Sequence, residues 1–130
     1  MNELKFHVAE KELYYKGEVI VKYSIEYPEI ISSPYEEGKQ AFNYANRKRA
    51  LELKEFAEGK FYEQAKKVYD YNKEHDYPFI IFKLILETKV TYQNDRRISL
   101  YQEEYIFSEN AHGNTIINLQ NWNLPDGEML

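Results

Sequence analysis

The pattern of the sequence changes abruptly near residues 35 and 75, and this change constrains the fold more than any other feature. Between these positions there is no proline, and Val68 is the only β-branched residue. Outside them, apolar and polar residues alternate, as in β-strands that bury one face. The sequence therefore predicts a helical segment inserted between two stretches of strand.

Signals for the ends of this helical segment are present at both sides. Ser32-Ser33-Pro34 followed by Glu36-Glu37 is typical of a helix start, and Tyr77-Pro78 closes the pattern. Asn46 and Arg49 interrupt the apolar helical face, and Gly59 predicts a kink or a break into two helices. That face is formed by Phe42, Ala45, Leu53, Phe56, Ala57, Phe61, Ala65 and Val68.

The flanking segments predict strands with short connections. We expect a first strand before a Lys16-Gly17 turn and a second at 18–27, which Pro28 ends because proline lacks the ladder donor. Later strands are expected at about 79–92, 97–108 and 114–123, with turns at Asn94-Asp95 and from Asn110 to Gly113.

These elements make one α+β domain over residues 1–130. We predict an antiparallel sheet of four to five long strands, packed on one face by the long helical segment that Gly59 interrupts. Five strand residues should be buried against Phe42, Leu53 or Phe61, namely Phe82, Leu84, Leu86, Ile98 and Leu100.

Composition excludes several classes of function. A net charge of −5 argues against a nucleic-acid binder, which needs a basic face. No apolar run approaches the roughly 20 residues of a membrane-spanning helix, and the first residues lack the apolar stretch of a signal peptide. Because there is no cysteine, disulfides, thiol catalysis and cysteine-bound zinc are excluded, although the compartment is not fixed.

The ionisable side chains predict no metal site, no cofactor and no catalytic residue. His7, His75 and His112 are far apart and match no zinc-binding spacing. Glu103 and Glu104 are adjacent on a strand and therefore point to opposite faces, so they cannot form a glycosidase pair.

One segment near the carboxyl end supplies the candidate ligand-contact or structural motif, which comprises Asn110, His112, Asn114 and Trp122. We interpret His112 as a turn residue that hydrogen-bonds the backbone, and an exposed acid or base is the alternative. The Trp122 ring suits either core packing or stacking on a sugar or a protein partner.

Several short motifs, taken in order, resemble a known family. They are Tyr27-Pro28-Glu29-Ile30, Phe42-Asn43, Ile98-Ser99-Leu100, Ala111-His112-Gly113 and Asn121-Trp122-Asn123-Leu124 with Asp126-Gly127. The order resembles the domain of unknown function that precedes the catalytic unit of PdaC-type peptidoglycan deacetylases. The same module is found in the extracellular part of RsiV-type anti-sigma factors. Glu109-Asn110 departs from the family's Gly-Gly, and Pro125 is also unusual.

The resemblance implies a non-catalytic binding or sensing module of the Gram-positive cell envelope. Such a module would recognise a cell-wall glycan or a cell-wall-directed protein, and it would be extracytoplasmic. Deacetylase activity is not implied, because in that family the metal ligands belong to a different domain. Two alternatives stay open: a hydrolase acting on cell-wall polysaccharide through His112 and a nearby carboxylate, and a structural domain that forms a homodimer through its edge strands.

Overall fold

The computed structural model describes residues 2–108 and 111–130, and of 111–112 the backbone only. The elements follow the order β1 (Glu3–Tyr15), β2 (Glu18–Ser32), α1 (Glu36–Glu58), α2 (Lys60–Glu74), β3 (Phe82–Gln93), β4 (Arg97–Ser108), β5 (Ala111–Asn123) and β6 (Glu128–Met129). The predicted α+β class and the break at Gly59 are confirmed. Neither helix of the described residues combines the length and the apolarity needed to cross a membrane.

The sheet differs from the prediction in strand number and in direction. It has six strands in the order β1-β2-β3-β4-β5-β6, and β2 pairs with β3 in parallel, from Val21 beside Phe82 to Ile25 beside Leu86. The expectation of four to five strands, all antiparallel, was therefore wrong. The two helices carry the chain back along the sheet, so β3 starts beside the first half of β2 and runs in the same direction.

β2 continues through Pro28 to Ser32, although the sequence predicted an end at the proline. The Asn43 side chain of α1 bonds both the N–H and the C=O of Ile30. Ile30 therefore directs its backbone groups toward the helix and away from β1. Pro28, two residues earlier, faces the same way, and the pairing with β3 has already ended at Ile25. The missing proline donor therefore removes no bond from the ladder with β1.

The first hairpin turn is formed by Lys16 and Gly17, both with positive φ, of 51° and 81°. Two consecutive left-handed residues match the twist of a two-residue hairpin, and the predicted turn is thus confirmed. At the last hairpin, β5 already begins at Ala111, so Gly113 lies within a strand and not in the predicted turn.

The core consists of two apolar clusters between the helices and one face of the sheet. The first contains Leu53, Phe61, Phe82, Leu84 and Leu86, all buried, together with residues of β2. The second is formed by Ile30, Phe42, Ile98, Leu100, Trp122 and Leu124. All five strand residues predicted as core are buried, as expected from the alternation.

A buried polar layer crosses the sheet on the face that α1 covers. Gln102 is its central residue: its side-chain nitrogen donates to Thr88 Oγ1 at 3.1 Å, and its oxygen accepts from Gln120 at 2.9 Å. Asn46 Oδ1 lies 3.5 Å from the same Gln102 nitrogen. Asn46 interrupts the apolar face of α1 because it lies over this layer.

Arg49, the other interruption of that face, reaches a carboxylate of β4. Its guanidinium donates to both Glu104 oxygens, at 2.6 and 3.2 Å, and Asn118 donates to one of them at 3.3 Å. The Glu104 side chain is 6% exposed and the Arg49 side chain 45%. A two-pronged geometry of this kind fixes the position of α1 relative to the sheet.

Candidate functional site

A cleft between α1 and the β1–β2 hairpin combines rings with hydrogen-bonding groups. We call it the α1 cleft, and its volume is about 420 Å³. It is lined by His7, Tyr27, Pro28, Glu29, Gln40, Asn43, Tyr44 and Arg47. One wall is a helix and the other is the pair of strands, so both walls belong to regular elements.

Asn43 fixes the distance between these walls. Its side-chain amide donates to the Ile30 carbonyl at 3.0 Å and accepts from the Ile30 N–H at 2.7 Å. It thereby replaces the neighbouring strand that β2 lacks at this point. Because Gln40 and Arg47 lie one helical turn before and after Asn43, this clamp also sets the position of both side chains.

The strand wall presents an aromatic surface and an ion pair. The rings of His7 and Tyr27 stack with centroids 5.2 Å apart. His7 Nε2 lies 2.7 Å from a Glu29 carboxylate oxygen, which orients the imidazole. The His7 side chain is half-buried.

The helix wall presents exposed side chains, of which Gln40 donates to Glu36 at 3.3 Å. Tyr44 is 68% exposed, and the ion pairs among residues 2–108 and 111–130 do not include Arg47. A guanidinium presents several donors in a fixed plane and suits carboxylate or clustered hydroxyl groups. Within the described part of the chain, the α1 cleft thus offers one cation without an ion pair, next to aromatic faces.

A larger depression of about 690 Å³ lies along β1, β2 and β3, but it is a weaker candidate. Five of its eight lining residues are flexible lysines and glutamates: Glu10, Lys11, Glu12, Lys22 and Lys83. The Tyr23 hydroxyl points to the helices, where it donates to Glu58. Burial and this carboxylate together raise the pKa of Tyr23. Lys22 and Glu12 pair with each other at 3.4 Å, so part of the charged lining is already engaged.

The candidate residues predicted near the carboxyl end are not assembled into one site among the described residues. Trp122 is 4% exposed and packs edge to face against Phe42, with ring centroids 5.5 Å apart. Its N–H donates to Gln120 at 2.8 Å. Of the two roles considered for Trp122, the structure therefore shows core packing.

The other three candidates lie at or beyond the limits of the described residues. Asn114 is exposed on β5 opposite Ile106. Asn110 lies outside the described residues, as does Glu109, and for His112 only the backbone in β5 is described. The role of His112 as a structural residue and its alternative as an acid or base both stay predictions.

Carboxylates and imidazoles do not gather in groups of three in the part of the chain that the structure describes. There, no group of three His, Cys, Asp or Glu side chains could hold a metal ion. Glu104 faces α1 and bonds Arg49, whereas Glu103 accepts from Tyr101 at 2.6 Å. The two glutamates therefore point to opposite faces, as the sequence predicted.

The comparisons with known proteins agree with this architecture. The family model described as "Deacetylase PdaC" matches residues 15–115, most of the chain. The chain belongs to the PdaC family. A search of curated proteins returns no match.

Two solved structures share the fold of this PdaC-family chain. A DUF3298 family member from Bacteroides fragilis superposes with a TM-score of 0.73 at 12% identity, covering 99% of this chain and 58% of that one. A DUF3298 family protein from Pseudomonas aeruginosa gives 0.62 at 15% identity, with 100% and 55% covered. This chain therefore spans less than two thirds of either structure.

The structure explains the PdaC-like motifs of the sequence in physical terms. Their apolar members, Ile30, Phe42, Ile98, Leu100, Trp122 and Leu124, are the second core cluster. Asn43 is the clamp on Ile30, and Gly127 adopts a positive φ of 70° where the tail passes below α1. The motifs therefore mark the assembly of α1 on the sheet, and Tyr27, Pro28 and Asn43 also line the α1 cleft.

Sequence analysis did not identify the α1 cleft, because its residues are distant along the chain. His7 and Glu29 lie on two strands, and Arg47 lies on the helix. A signal was nevertheless present: Tyr27-Pro28 and Phe42-Asn43 both belong to the PdaC-like motifs. Polar residues within motifs that otherwise build a core indicate where two elements are held together.

Proposed function

We propose that this chain is a non-catalytic binding module of the bacterial cell envelope, and that it recognises a cell-wall glycan at the α1 cleft. The observation that carries the proposal is that Arg47 lines the cleft together with Tyr27 and Tyr44 and belongs to none of the ion pairs among residues 2–108 and 111–130. Membership of the PdaC family supports a place at the envelope, since the resemblance of the motifs is to modules of peptidoglycan deacetylases.

The chemistry of the cleft suits an acidic sugar. Sugar rings pack their C–H faces on aromatic side chains, and their hydroxyl and acetamido groups bond to polar side chains such as Gln40. Peptidoglycan also carries carboxylates on its stem peptides, and on the lactyl group of muramic acid where the peptide has been removed. A carboxylate beside Arg47 would form a charge-assisted, two-pronged hydrogen bond, which is stronger than a bond between neutral groups.

We propose binding and not turnover because the cleft, as the structure describes it, is lined by a single carboxyl group, that of Glu29. His7 is engaged with Glu29, and no second carboxylate lines the α1 cleft. Hydrolysis of a glycosidic bond ordinarily uses two carboxyl groups, one on each side of the scissile bond.

Isothermal titration with two soluble probes tests the proposal. One is a muramyl disaccharide-peptide, which is acidic, and the other is chitotetraose, which is a neutral glycan. We expect the acidic probe to bind more tightly, and Arg47→Ala to weaken that binding about tenfold or more, since a hydrogen bond to a charged group contributes roughly 1.5–3 kcal/mol. Tyr44→Ala should weaken binding of both probes.

Arg96→Ala is the matched control, because it removes an exposed arginine from the β3–β4 hairpin and leaves the cleft unchanged. Its affinity for the acidic probe should equal that of the wild type. Failure of the wild-type protein to bind either probe would overturn the proposal, and so would an Arg47→Ala variant with wild-type affinity.

A further inference from the structure

The outer edge of β5 has no neighbouring strand over most of its length within the described part of the chain. β6 pairs only with Trp122 and Asn123, and the Leu130 N–H adds one bond to the Asn121 carbonyl at 2.6 Å. Before Asn121, β5 pairs with β4 on its inner side alone. A row of backbone donors and acceptors is therefore exposed at this edge.

This edge lacks the features that ordinarily keep an edge strand unpaired. Between Ala111 and Asn123 there is no lysine, arginine, aspartate, glutamate or proline, in a chain of which 30% is charged. The opposite edge strand, β1, carries five charged residues: Glu3, Lys5, Glu10, Lys11 and Glu12. Charged residues and proline discourage the pairing of edges between molecules, so the two edges of this sheet are built for different environments.

Apolar side chains lie on both faces of this uncharged strand. Ile116, Ile117 and Leu119 are 53%, 54% and 69% exposed. Ile117 and Leu119 point to the face without helices, and Ile116 points to the helix side. A strand added to β5 would cover apolar surface on both faces.

The backbone geometry identifies the groups that a partner strand would bind. The Asn121 and Asn123 carbonyls accept bonds from residues beyond the edge, so these residues direct their backbone groups outward. Because direction alternates along an antiparallel strand, Thr115, Ile117 and Leu119 also direct their N–H and C=O outward. These three residues form the free docking edge.

We propose that a second copy of this chain occupies the free edge, with β5 pairing antiparallel to β5 of the copy about a two-fold axis. An axis through Ile117 places this residue against its own equivalent and Thr115 against Leu119 of the copy. Like charges opposite one another destabilise a strand pair, and a charge-free strand pairs with itself without such repulsion. The product is one continuous sheet with a self-complementary interface.

Sedimentation equilibrium over a wide concentration range tests the pairing. We expect the mass to rise with concentration to twice the 15.7 kDa of one chain. Ile117→Lys should raise the dissociation constant of the dimer at least tenfold by placing two lysines opposite each other. The matched control is Val8→Lys on β1, since Val8 is also 54% exposed, and it should dimerise like the wild type.

A proline variant separates strand pairing from contact between sheet faces. Thr115→Pro removes one outward donor and leaves the bonds to β4 intact, so it should also abolish the dimer while circular dichroism stays unchanged. A wild-type protein that is monomeric at every concentration would overturn the proposal. A dimer that persists in Thr115→Pro would equally overturn it, because the faces and not the edges would then be in contact.

Discussion

Single polar side chains hold the elements of this protein in place, and Asn43 is the clearest example. Both ends of its amide bond Ile30, at 3.0 and 2.7 Å, so the residue acts as a one-residue strand neighbour. An aliphatic residue of the same size would leave the Ile30 N–H and C=O without these partners. A buried, unpaired backbone group costs more than a lost surface contact.

Asn43→Ala should therefore lower the free energy of unfolding by about 1–3 kcal/mol, the cost of leaving buried groups unpaired. Urea denaturation followed by circular dichroism measures this change. Gln40→Ala, an exposed change on the same helix, is the control and should lie within about 0.5 kcal/mol of the wild type. Equal effects of the two substitutions would show that the Ile30 bonds do not hold α1.

Asp70 links α2 to the first hairpin. It accepts from Lys16 at 2.9 Å and from Tyr15 at 2.8 Å, and these two bonds lower the pKa of Asp70 below its ordinary 3.8. A carboxylate with a depressed folded-state pKa stabilises the fold above its unfolded pKa. This contribution is lost as the pH falls through the lower, folded value.

Thermal melts between neutral pH and pH 2 test this linkage. Asp70→Asn should melt below the wild type at neutral pH, and the gap should close in acid, below the ordinary pKa of 3.8. Glu74→Gln removes an exposed carboxylate from the same helix and should show no comparable gap. A gap for Asp70→Asn that is constant across this range would contradict the assignment.

At the scale of elements, the start of α1 rests directly on the carboxyl-terminal tail. A Cβ on Gly38 would lie 2.1 Å from the Leu124 carbonyl oxygen. The Leu124 N–H is held in turn by the Arg96 carbonyl at 2.8 Å. Both backbones are held in place, so position 38, in the first turn of α1, requires a glycine.

Because of this close contact, we expect Gly38→Ala to change the free energy of unfolding in the direction opposite to that predicted by helix propensity. Replacing a helical glycine with alanine ordinarily stabilises by about 1 kcal/mol. Gly38→Ala should instead destabilise by about 1–3 kcal/mol, the usual range for overpacking. Urea melts measure the change, and the difference between Lys54→Gly and Lys54→Ala on the exposed face of α1 reports the propensity effect alone. A stabilised Gly38→Ala variant would show that helix and tail are not in contact.

At the scale of the molecule, a polar layer joins the two apolar clusters. Gln102 bonds Thr88 and Gln120, and it lies within 3.5 Å of Asn46 on α1. All the groups of such a layer must be paired, because an unpaired polar group in the core is costly. The layer therefore defines one register of the helix on the sheet.

Gln102→Ala should lower the free energy of unfolding by about 1–3 kcal/mol, since Thr88 Oγ1 loses its donor and the Gln120 side-chain nitrogen loses its acceptor. Chemical denaturation monitored by Trp122 fluorescence, and in parallel by far-ultraviolet circular dichroism, measures it. Gln64→Ala on the exposed face of α2 should have little effect. Separate transitions for the two probes in the wild type would contradict the coupling of the clusters.

The PdaC-family fold places the proposed glycan site and the proposed dimer edge far apart in the sheet order. The α1 cleft uses β1, β2 and α1, and the free edge belongs to β5. Pairing through β5 would thus leave both copies of the cleft accessible. Two linked sites on a polymeric glycan would bind with higher avidity than one.

Features that depend on neighbouring residues could be predicted from the amino-acid sequence alone. Period-two alternation predicted the buried Leu84 and Ile98, and Lys16-Gly17 predicted the first turn. The helical stretch and its break at Gly59 followed from propensity and periodicity. These features are local because backbone torsions and side-chain direction repeat over a few residues.

The identity of neighbouring elements, in contrast, depends on the tertiary structure. The parallel pairing of β2 with β3, and the persistence of β2 beyond Pro28, depend on the path of the helices between them. Asn46 and Arg49 interrupt a helical face for a reason that lies 56 and 55 residues away, at Gln102 and Glu104. Hydrogen bonds between polar residues that are distant along the chain produce no repeating pattern in the sequence. The α1 cleft could not be predicted from the sequence for the same reason.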